Sequence, residues 1–156
     1  MDSMVRRRDP ACFIKIPRCV RDGLYGAVEK AELHIFIDAS PNAYGACAYL
    51  RTVDDGGNTA TSLIVAKSRV APTEILTLPK LELMATVAGA RLLKYIRSSW
   101  DSTHFPCIMW TDTTSTLSCI RGDYDKLGQF VKHRVAEIVE AADPLLWRYC
   151  PGEDKP

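Results

Sequence analysis

The sequence lacks the arrangements of cysteine and histidine that hold zinc or form a redox pair. No CxxC pair and no close Cys/His cluster occurs among the six cysteines, which are Cys12, Cys19, Cys47, Cys107, Cys119 and Cys150. The histidines, His34, His104 and His133, are also far apart along the chain. Zinc sites and redox pairs need such residues at short, regular spacing. We therefore expect reduced, mostly buried cysteines, and histidines that pack or face solvent.

Long hydrophobic runs and a strong charge imbalance are absent as well. No run approaches the roughly 18 apolar residues of a membrane span, and residues 1–10, MDSMVRRRDP, lack the apolar stretch of a secretory signal. We expect an intracellular protein, cytoplasmic or nuclear, that has no membrane partner. The formal net charge of +1 does not predict tight nucleic-acid binding through long-range electrostatics, so such binding must be local or assisted by a partner.

The composition is that of one soluble globular domain. Of the 156 residues, 47% are hydrophobic and 25% are charged, which is enough to bury a substantial core. Residues 1–30 mix charges with Pro10, Pro17 and Gly23 and show no sustained period. We interpret them as a linker or lead-in, and we place the domain at residues 31–156.

Hydrophobic periodicity predicts a mixed α/β fold. The segment LHIFI, residues 33–37, is almost wholly apolar, as expected of a central strand that is covered on both faces. The other predicted elements are strands at 45–53, 59–68, 106–112 and 145–150, and helices at 79–97, 113–122 and 126–142. Turn residues separate the first three strands and predict an antiparallel meander. The long helix then crosses one face of the sheet, so we expect the first and fourth strands to be parallel neighbours.

Two of these strands end in an aspartate. Asp38 follows the first strand and Asp112 ends the fourth, so in adjacent strands, about 4.8 Å apart, they can share a site. Glu82 lies in the long helix, and the small residues Ala85 and Gly89 at i+3 and i+7 let this helix press close to the sheet. Taken singly, either aspartate is better explained as a turn former or helix cap, and Glu82 as a solvated helix position.

Three carboxylates in one confined place repel each other unless cations neutralise them. Oxygen ligands suit Mg²⁺ or Mn²⁺, and two such ions can activate a water and stabilise the leaving oxygen of a phosphodiester. This chemistry needs no cysteine, histidine or serine nucleophile. The trio Asp38, Glu82 and Asp112 therefore predicts a two-metal site for phosphodiester hydrolysis.

Several separated motifs also resemble a known family. FIDASPNAYGACAYL, AKSRVAPTEILTLPKLELMATVAGARLLKYI, WTDTTSTLSCI and HRVAEIVEAADPLLWRYCPGEDKP are similar, in this order, to the ribonuclease H domain of BEL/Pao-type LTR retrotransposon polyproteins. The likeness extends from Ile16 to the last residue. It implies a ribonuclease H-like fold, a five-stranded mixed sheet ordered 3-2-1-4-5 with flanking helices. It also implies hydrolysis of the RNA strand of an RNA–DNA hybrid with two Mg²⁺ ions held by Asp38, Glu82 and Asp112, and a reverse transcriptase domain as partner.

The sequence departs from this family in two places. After CPGEDKP, relatives continue into a segment that carries a fourth acid and opens a last helix, whereas this sequence stops at Pro156. We therefore expect a C-terminally truncated domain that lacks the last helix, folds, and has weak or no nuclease activity. The second departure is Thr113, where relatives commonly have serine. That change is conservative.

Candidate substrate-binding residues lie beside the proposed acids. Hybrids are contacted through phosphates and 2′-hydroxyls, which small polar side chains can bind. Ser40, Asn42, Tyr44 and Thr113 are of this kind. Turn formation explains Ser40 and Asn42 equally well.

Two other functions remain as alternatives. One is a catalytically dead mobile-element remnant or a nucleic-acid-binding module. Pao-type polyproteins also contain an aspartic peptidase, but that chemistry requires a DTG or DSG turn. The chain has DAS, DDG and TDT instead, which disfavours a peptidase.

Overall fold

Residues 27–72, 76–99, 105–123 and 126–156 are described by a computed structural model. The elements in chain order are β1 (Val28–Ala39), β2 (Ala43–Asp54), β3 (Thr59–Val70), α1 (Leu78–Ser99), β4 (Cys107–Thr111), α2 (Thr114–Arg121), α3 (Gln129–Ala141) and β5 (Trp147–Tyr149). The predicted order of strands and helices is confirmed. β1 begins before the expected domain start at residue 31, and residues 1–26 of the expected lead-in lie outside the described ranges.

The last strand is shorter than predicted. Pro144–Leu146 forms a single 3-10 turn, so that β5 begins only at Trp147. The carboxylate of Asp143 accepts a hydrogen bond from the backbone N–H of Leu145 at 2.8 Å and thereby caps this turn. Apolar composition alone does not distinguish such a turn from the start of a strand.

The five strands form one sheet in the order β3-β2-β1-β4-β5. β1 pairs antiparallel with β2, and β2 with β3, which confirms the predicted meander. β1 pairs parallel with β4, and β4 with β5. The predicted parallel neighbours are therefore correct, and the sheet order is the one that the family resemblance implies.

The helix α1 packs closely on the sheet through its small residues. A Cβ added to Gly89 would lie 2.6 Å from Cδ1 of Ile37, so only glycine permits the observed approach. Ile37 is almost fully buried, as is Met109 of β4. The helices α2 and α3 in turn contact α1. The prediction that a small residue at position 89 lets this helix approach the sheet is confirmed.

The two faces of β1 differ, contrary to the expectation that both are covered. Leu33, Ile35 and Ile37 are buried on the helix side, whereas His34 and Phe36 on the other side are only half-buried. His34 accepts a hydrogen bond from Nε1 of Trp110 at 3.0 Å, and its ring stacks on that indole. The described helices pack on the face that carries Leu33, Ile35 and Ile37. The opposite face is covered only in part, by the aromatic rings of His34, Phe36 and Trp110.

The four described cysteines are free thiols. Cys107 and Cys150 are buried, and Cys47 and Cys119 are half-buried. Cys12, Cys19 and His104 lie outside the described ranges. None of the helices within those ranges is both long enough and apolar enough to cross a membrane.

Candidate active site

The pairing of β1 with β4 brings Asp38 and Asp112 to one edge of the sheet. Phe36 lies opposite Trp110 in this parallel pair, and each aspartate follows two residues later in its own segment. Asp38 is still within β1 and pairs with Gly45 on the other side. The carboxyl ends of adjacent parallel strands meet at the same edge. The two carboxylates therefore lie close together, as the sequence predicts.

A lysine side chain joins the two carboxylates. Nζ of Lys155 donates to Oδ1 of Asp38 and to Oδ2 of Asp112, each at 3.0 Å. It also donates to the backbone carbonyl of Ile37 at 2.7 Å. An ammonium has three N–H donors, and all three have an oxygen acceptor here. The Lys155 side chain is only 9% exposed, although that of Asp38 is 71% exposed.

Lys155 carries its positive charge at neutral pH. Burial alone would lower its pKa, but the hydrogen bonds to Asp38 and Asp112, together with the charges of both carboxylates, outweigh burial and raise the pKa above its ordinary value. One positive charge therefore lies between two carboxylates. The pair retains an excess of negative charge, which favours a cation at this position.

Thr113 and Gly152 shape the surroundings of Asp112. Oγ1 of Thr113 donates to Oδ1 of Asp112 at 3.3 Å, while Lys155 binds the other carboxylate oxygen. Thr113 is buried, and its backbone N–H donates to Oγ1 of Thr111 at 3.3 Å. A Cβ on Gly152 would lie 3.4 Å from Oδ2 of Asp112. The orientation of Asp112 is thus set by its neighbours.

Glu82 lies on α1, half-buried, in the first turns of the helix. Gly89, which contacts Ile37, comes two helical turns later, so both residues lie on the same helical face. Within the described ranges, no group of three or more His, Cys, Asp or Glu side chains is arranged to hold a metal ion. The structure therefore brings Asp38 and Asp112 together, and does not arrange Glu82 with them as a metal-binding cluster.

The atoms around the Lys155 ammonium fit a divalent cation by their chemistry. Two carboxylate oxygens and one backbone carbonyl oxygen already bind one cation there. Oxygen ligands of this kind are those that Mg²⁺ and Mn²⁺ prefer. The ammonium thus marks a position at which the protein provides hard, negatively charged ligands.

The predicted substrate-binding residues have different surroundings. Ser40 is exposed, and its Oγ donates to the carbonyl of Ala43 and accepts from the Ala43 N–H, both at 3.1 Å, so it stabilises the turn between β1 and β2. Asn42 is exposed in the same turn. Tyr44 is buried in the core, at 8% exposure. A groove of about 450 Å³ beside Asp38 is lined by Ser40, Tyr44, Lys67, Ser68 and Lys155, among others.

Sequence reasoning did not single out Lys155. One of many Lys and Arg residues, it stands in the segment PGEDKP without a motif of its own. The path of the chain after β5 does indicate its position. The N–H of Cys150 bonds to the carbonyl of Thr111 at 2.9 Å, so the residues after Cys150 must pass the end of β4. A residue shortly after β5 is therefore placed near Asp112.

The mixed sheet with this strand order, and with aspartates at the ends of its two central parallel strands, defines a ribonuclease H-like fold. The model of the Pao retrotransposon-like RNaseH-like domain family matches residues 5–113. The chain therefore belongs to this family of retrotransposon domains. No curated protein sequence matches the chain.

Solved structures with similarity to this chain include cellular and viral proteins. Ribonuclease H1 from Halobacterium salinarum NRC-1 is 14% identical, with 80% of this chain and 87% of that chain covered and a TM-score of 0.44. LC11-RNase H1 in complex with an RNA/DNA hybrid is 15% identical over the same shares, with a TM-score of 0.49. A foamy viral protease-reverse transcriptase in complex with double-stranded DNA is 17% identical, with 81% of this chain but 20% of that chain covered and a TM-score of 0.42.

Proposed function

We propose that this domain is a metal-dependent nuclease that hydrolyses the RNA strand of RNA–DNA hybrids. In this proposal Asp38, Glu82 and Asp112 hold two Mg²⁺ ions, for which Mn²⁺ can substitute. The observation that supports it most is the position of the Lys155 ammonium group between Asp38 and Asp112, at the ends of adjacent parallel strands. Membership of the Pao retrotransposon-like RNaseH-like family supports the same reaction class.

Each residue has a separate role in this proposal. Asp38, in the central strand, and Asp112, at the end of β4, would hold the metal ions through their carboxylates. Thr113 holds the Asp112 carboxylate through its Oδ1 atom. Glu82 supplies the third carboxylate from the helical face that also carries Gly89. When bound, a pair of divalent ions supplies an activated water and stabilises the leaving oxygen of the phosphodiester.

Substrate contact in this proposal is made by the groove beside Asp38. The exposed turn with Ser40 and Asn42 offers small polar groups to phosphates and 2′-hydroxyls, and Lys67 adds a cation to the lining. Tyr44, which is buried, supports the groove wall from below. Because the net charge of the chain is only +1, an attached reverse transcriptase domain supplies much of the affinity for the hybrid.

A second function is favoured by a specific observation. Lys155 neutralises part of the charge of Asp38 and Asp112 without any metal ion. A domain in this state can bind nucleic acid without cleaving it. Binding of nucleic acid without cleavage is therefore the alternative to a nuclease.

The two functions are separated by a cleavage assay on a hybrid with a labelled RNA strand in Mg²⁺. We expect slow cleavage of the RNA strand in the hybrid, and none of single-stranded RNA or duplex DNA. Asp38→Asn should reduce this rate by roughly a hundredfold or more, because it removes a carboxylate that holds the metal ions and thereby weakens their stabilisation of the transition state. Asp55→Asn, the same substitution in the exposed turn after β2, is the control and should leave the rate unchanged.

Cleavage that persists in Asp38→Asn would refute the proposed function. Binding of the hybrid without any cleavage, in a preparation that is fully folded by circular dichroism, would favour the binding module instead.

A further inference from the structure

We propose that Lys155 is an autoinhibitory residue whose ammonium group occupies the cation position between Asp38 and Asp112 and must withdraw before a divalent metal binds there. The inference rests on the proposed function, because it assigns the same two carboxylates to the metal. It goes further in naming a residue of the chain that opposes metal binding. The affinity for metal then depends on the fraction of molecules in which Lys155 is withdrawn from the two carboxylates.

The geometry makes the two cations mutually exclusive. The Lys155 ammonium uses one oxygen of each carboxylate and the carbonyl of Ile37, and its side chain is almost fully enclosed. A metal ion that used the same carboxylate oxygens would lie within a few ångströms of Nζ, where two positive charges repel strongly in a partly buried place. At these two carboxylate oxygens, either the ammonium or the metal can therefore be bound, but not both.

The backbone hydrogen bonds of the segment that carries Lys155 are local, and the Lys155 side chain makes the contacts with Asp38, Asp112 and Ile37. The N–H of Asp154 bonds to the carbonyl of Pro151 at 3.0 Å, and that of Lys155 bonds to the carbonyl of Gly152 at 3.4 Å. Gly152, Glu153 and Asp154 are exposed. Segments with exposed residues and local hydrogen bonds open at low free-energy cost. Withdrawal of Lys155 can thus leave the sheet intact, since β5 ends before this segment.

Withdrawal of this segment would also widen the substrate groove. Gly152, Lys155 and Pro156 line the same groove as Asp38 and Ser40. One movement therefore exposes both the carboxylate pair and part of the groove wall. The apparent affinity for metal is reduced by the fraction of molecules in which Lys155 is withdrawn.

The direct test is a calorimetric titration with Mn²⁺ alone of the unmodified protein and of Lys155→Met. Methionine keeps the length and apolar stem of lysine but removes the charge. If about nine molecules in ten are closed, Lys155→Met should bind Mn²⁺ roughly tenfold more tightly. Lys155→Arg retains a positive charge and should gain less. Lys94→Met removes an exposed lysine that faces Glu140, and should leave the affinity unchanged, which controls for net charge.

The titrations distinguish failure of this inference from failure of the proposed function. Binding that is abolished by Asp38→Asn but equal in the unmodified protein and Lys155→Met would overturn the autoinhibitory role and leave the proposed function standing. Absence of Asp38-dependent binding in all folded variants would overturn both. Circular dichroism melts establish that each variant is folded.

A second measurement follows Lys155 itself in the unmodified protein. Acylation of lysines, read by mass spectrometry, should be slow at Lys155 without metal and several-fold faster with saturating Mg²⁺, since the displaced ammonium enters solvent. Lys94 is the internal reference and should not change. Equal protection of Lys155 with and without Mg²⁺, under conditions where Asp38-dependent binding is measured, would contradict the proposal.

Discussion

Each oxygen of the Asp112 carboxylate has its own hydrogen-bond donor, one from the next residue and one from the segment after β5. Thr113 donates to Oδ1 and Lys155 to Oδ2. Thr113 is buried, so its hydroxyl is held in place by packing. Partners that orient a metal-binding side chain commonly affect metal affinity although they do not touch the metal.

The Thr113 hydroxyl can be removed without changing the shape of the side chain. Thr113→Val keeps the shape of the side chain and removes the donor, and it should weaken Mn²⁺ binding by roughly tenfold, the lower end of the range for such orienting partners. Thr113→Ser retains the hydroxyl and serves as the control, with a smaller effect. Equal affinities of the valine and serine variants, measured by calorimetry, would show that the bond to Asp112 does not orient the ligand.

The thiol of Cys107 provides a second prediction. Burial in β4 raises the pKa of Cys107 to about 11, against a smaller opposing effect of Arg97. At pH 8.5 only about one thiol in several hundred is then ionised, so iodoacetamide should modify Cys107 far more slowly than the half-buried Cys119. The difference should disappear in denaturant. Fast modification of Cys107 in the native protein, followed by peptide mass spectrometry, would mean that the start of β4 opens readily.

At the scale of elements, the contact between α1 and the sheet determines where Glu82 lies. Gly89 permits close approach to Ile37, and a larger residue would push the helix outward. Alanine in a helix interior is otherwise favoured over glycine by about 1 kcal/mol. Whether Gly89→Ala stabilises or destabilises the domain therefore depends on the packing of α1 against Ile37.

We predict that Gly89→Ala lowers the free energy of unfolding. Overpacking of a core costs about 1 to 3 kcal/mol, which over most of this range exceeds the gain of about 1 kcal/mol in helix propensity. Denaturant unfolding measures the loss, and in the Ile37→Val background, where one of the clashing carbons is removed, Gly89→Ala should cost less. A stabilising effect of Gly89→Ala in the unmodified background would show that α1 is not pressed against Ile37.

The helices α1 and α3 are joined by an ion pair with a defined pH dependence. The guanidinium of Arg91 binds both carboxylate oxygens of Glu137, with Nη2 to Oε2 at 3.0 Å. This hydrogen bonding lowers the pKa of Glu137 below its ordinary value of 4.5. A lowered pKa stabilises the fold above the unfolded-state pKa, and the stabilisation is lost as the pH falls through the folded-state pKa.

Glu137→Gln should therefore destabilise the domain by about 0.5 kcal/mol at pH 7, since the pair is largely exposed. The difference from the unmodified protein should vanish under strongly acidic conditions. Glu140→Gln, which removes a more distant contact with Lys94, is the matched control and should have a smaller effect. A difference that persists undiminished at low pH would assign the effect to packing.

At the scale of the whole molecule, much of the fold follows from the hydrophobic pattern of the sequence. Apolar runs of strand length and the helical spacing of α1 predict the order of elements, and the crossover rule predicts that β1 and β4 are parallel. That pairing is enough to bring Asp38 near Asp112. The strand order could be predicted only through the family resemblance.

Other features could not be predicted because they depend on contacts between distant segments. His34 and Phe36 of β1 are half-buried because the helices cover the other face of the sheet. An apolar run in the sequence does not show which face the helices will cover. The position of Lys155 depends on the path of the chain after β5, where the sequence has no motif. Whether Glu82 joins the aspartates depends on side-chain positions that helical periodicity does not determine.

We propose that Asp38, Glu82 and Asp112 together bind divalent metal at one edge of the sheet. The most direct measurement is a crystal structure of this chain soaked in Mn²⁺, with anomalous scattering used to locate the ions. We expect manganese peaks within coordination distance of carboxylate oxygens of Asp38 and Asp112, with Glu82 turned towards them and Lys155 displaced. Saturating Mn²⁺ with no peak at this edge, and with Lys155 still bound to both aspartates, would contradict the account.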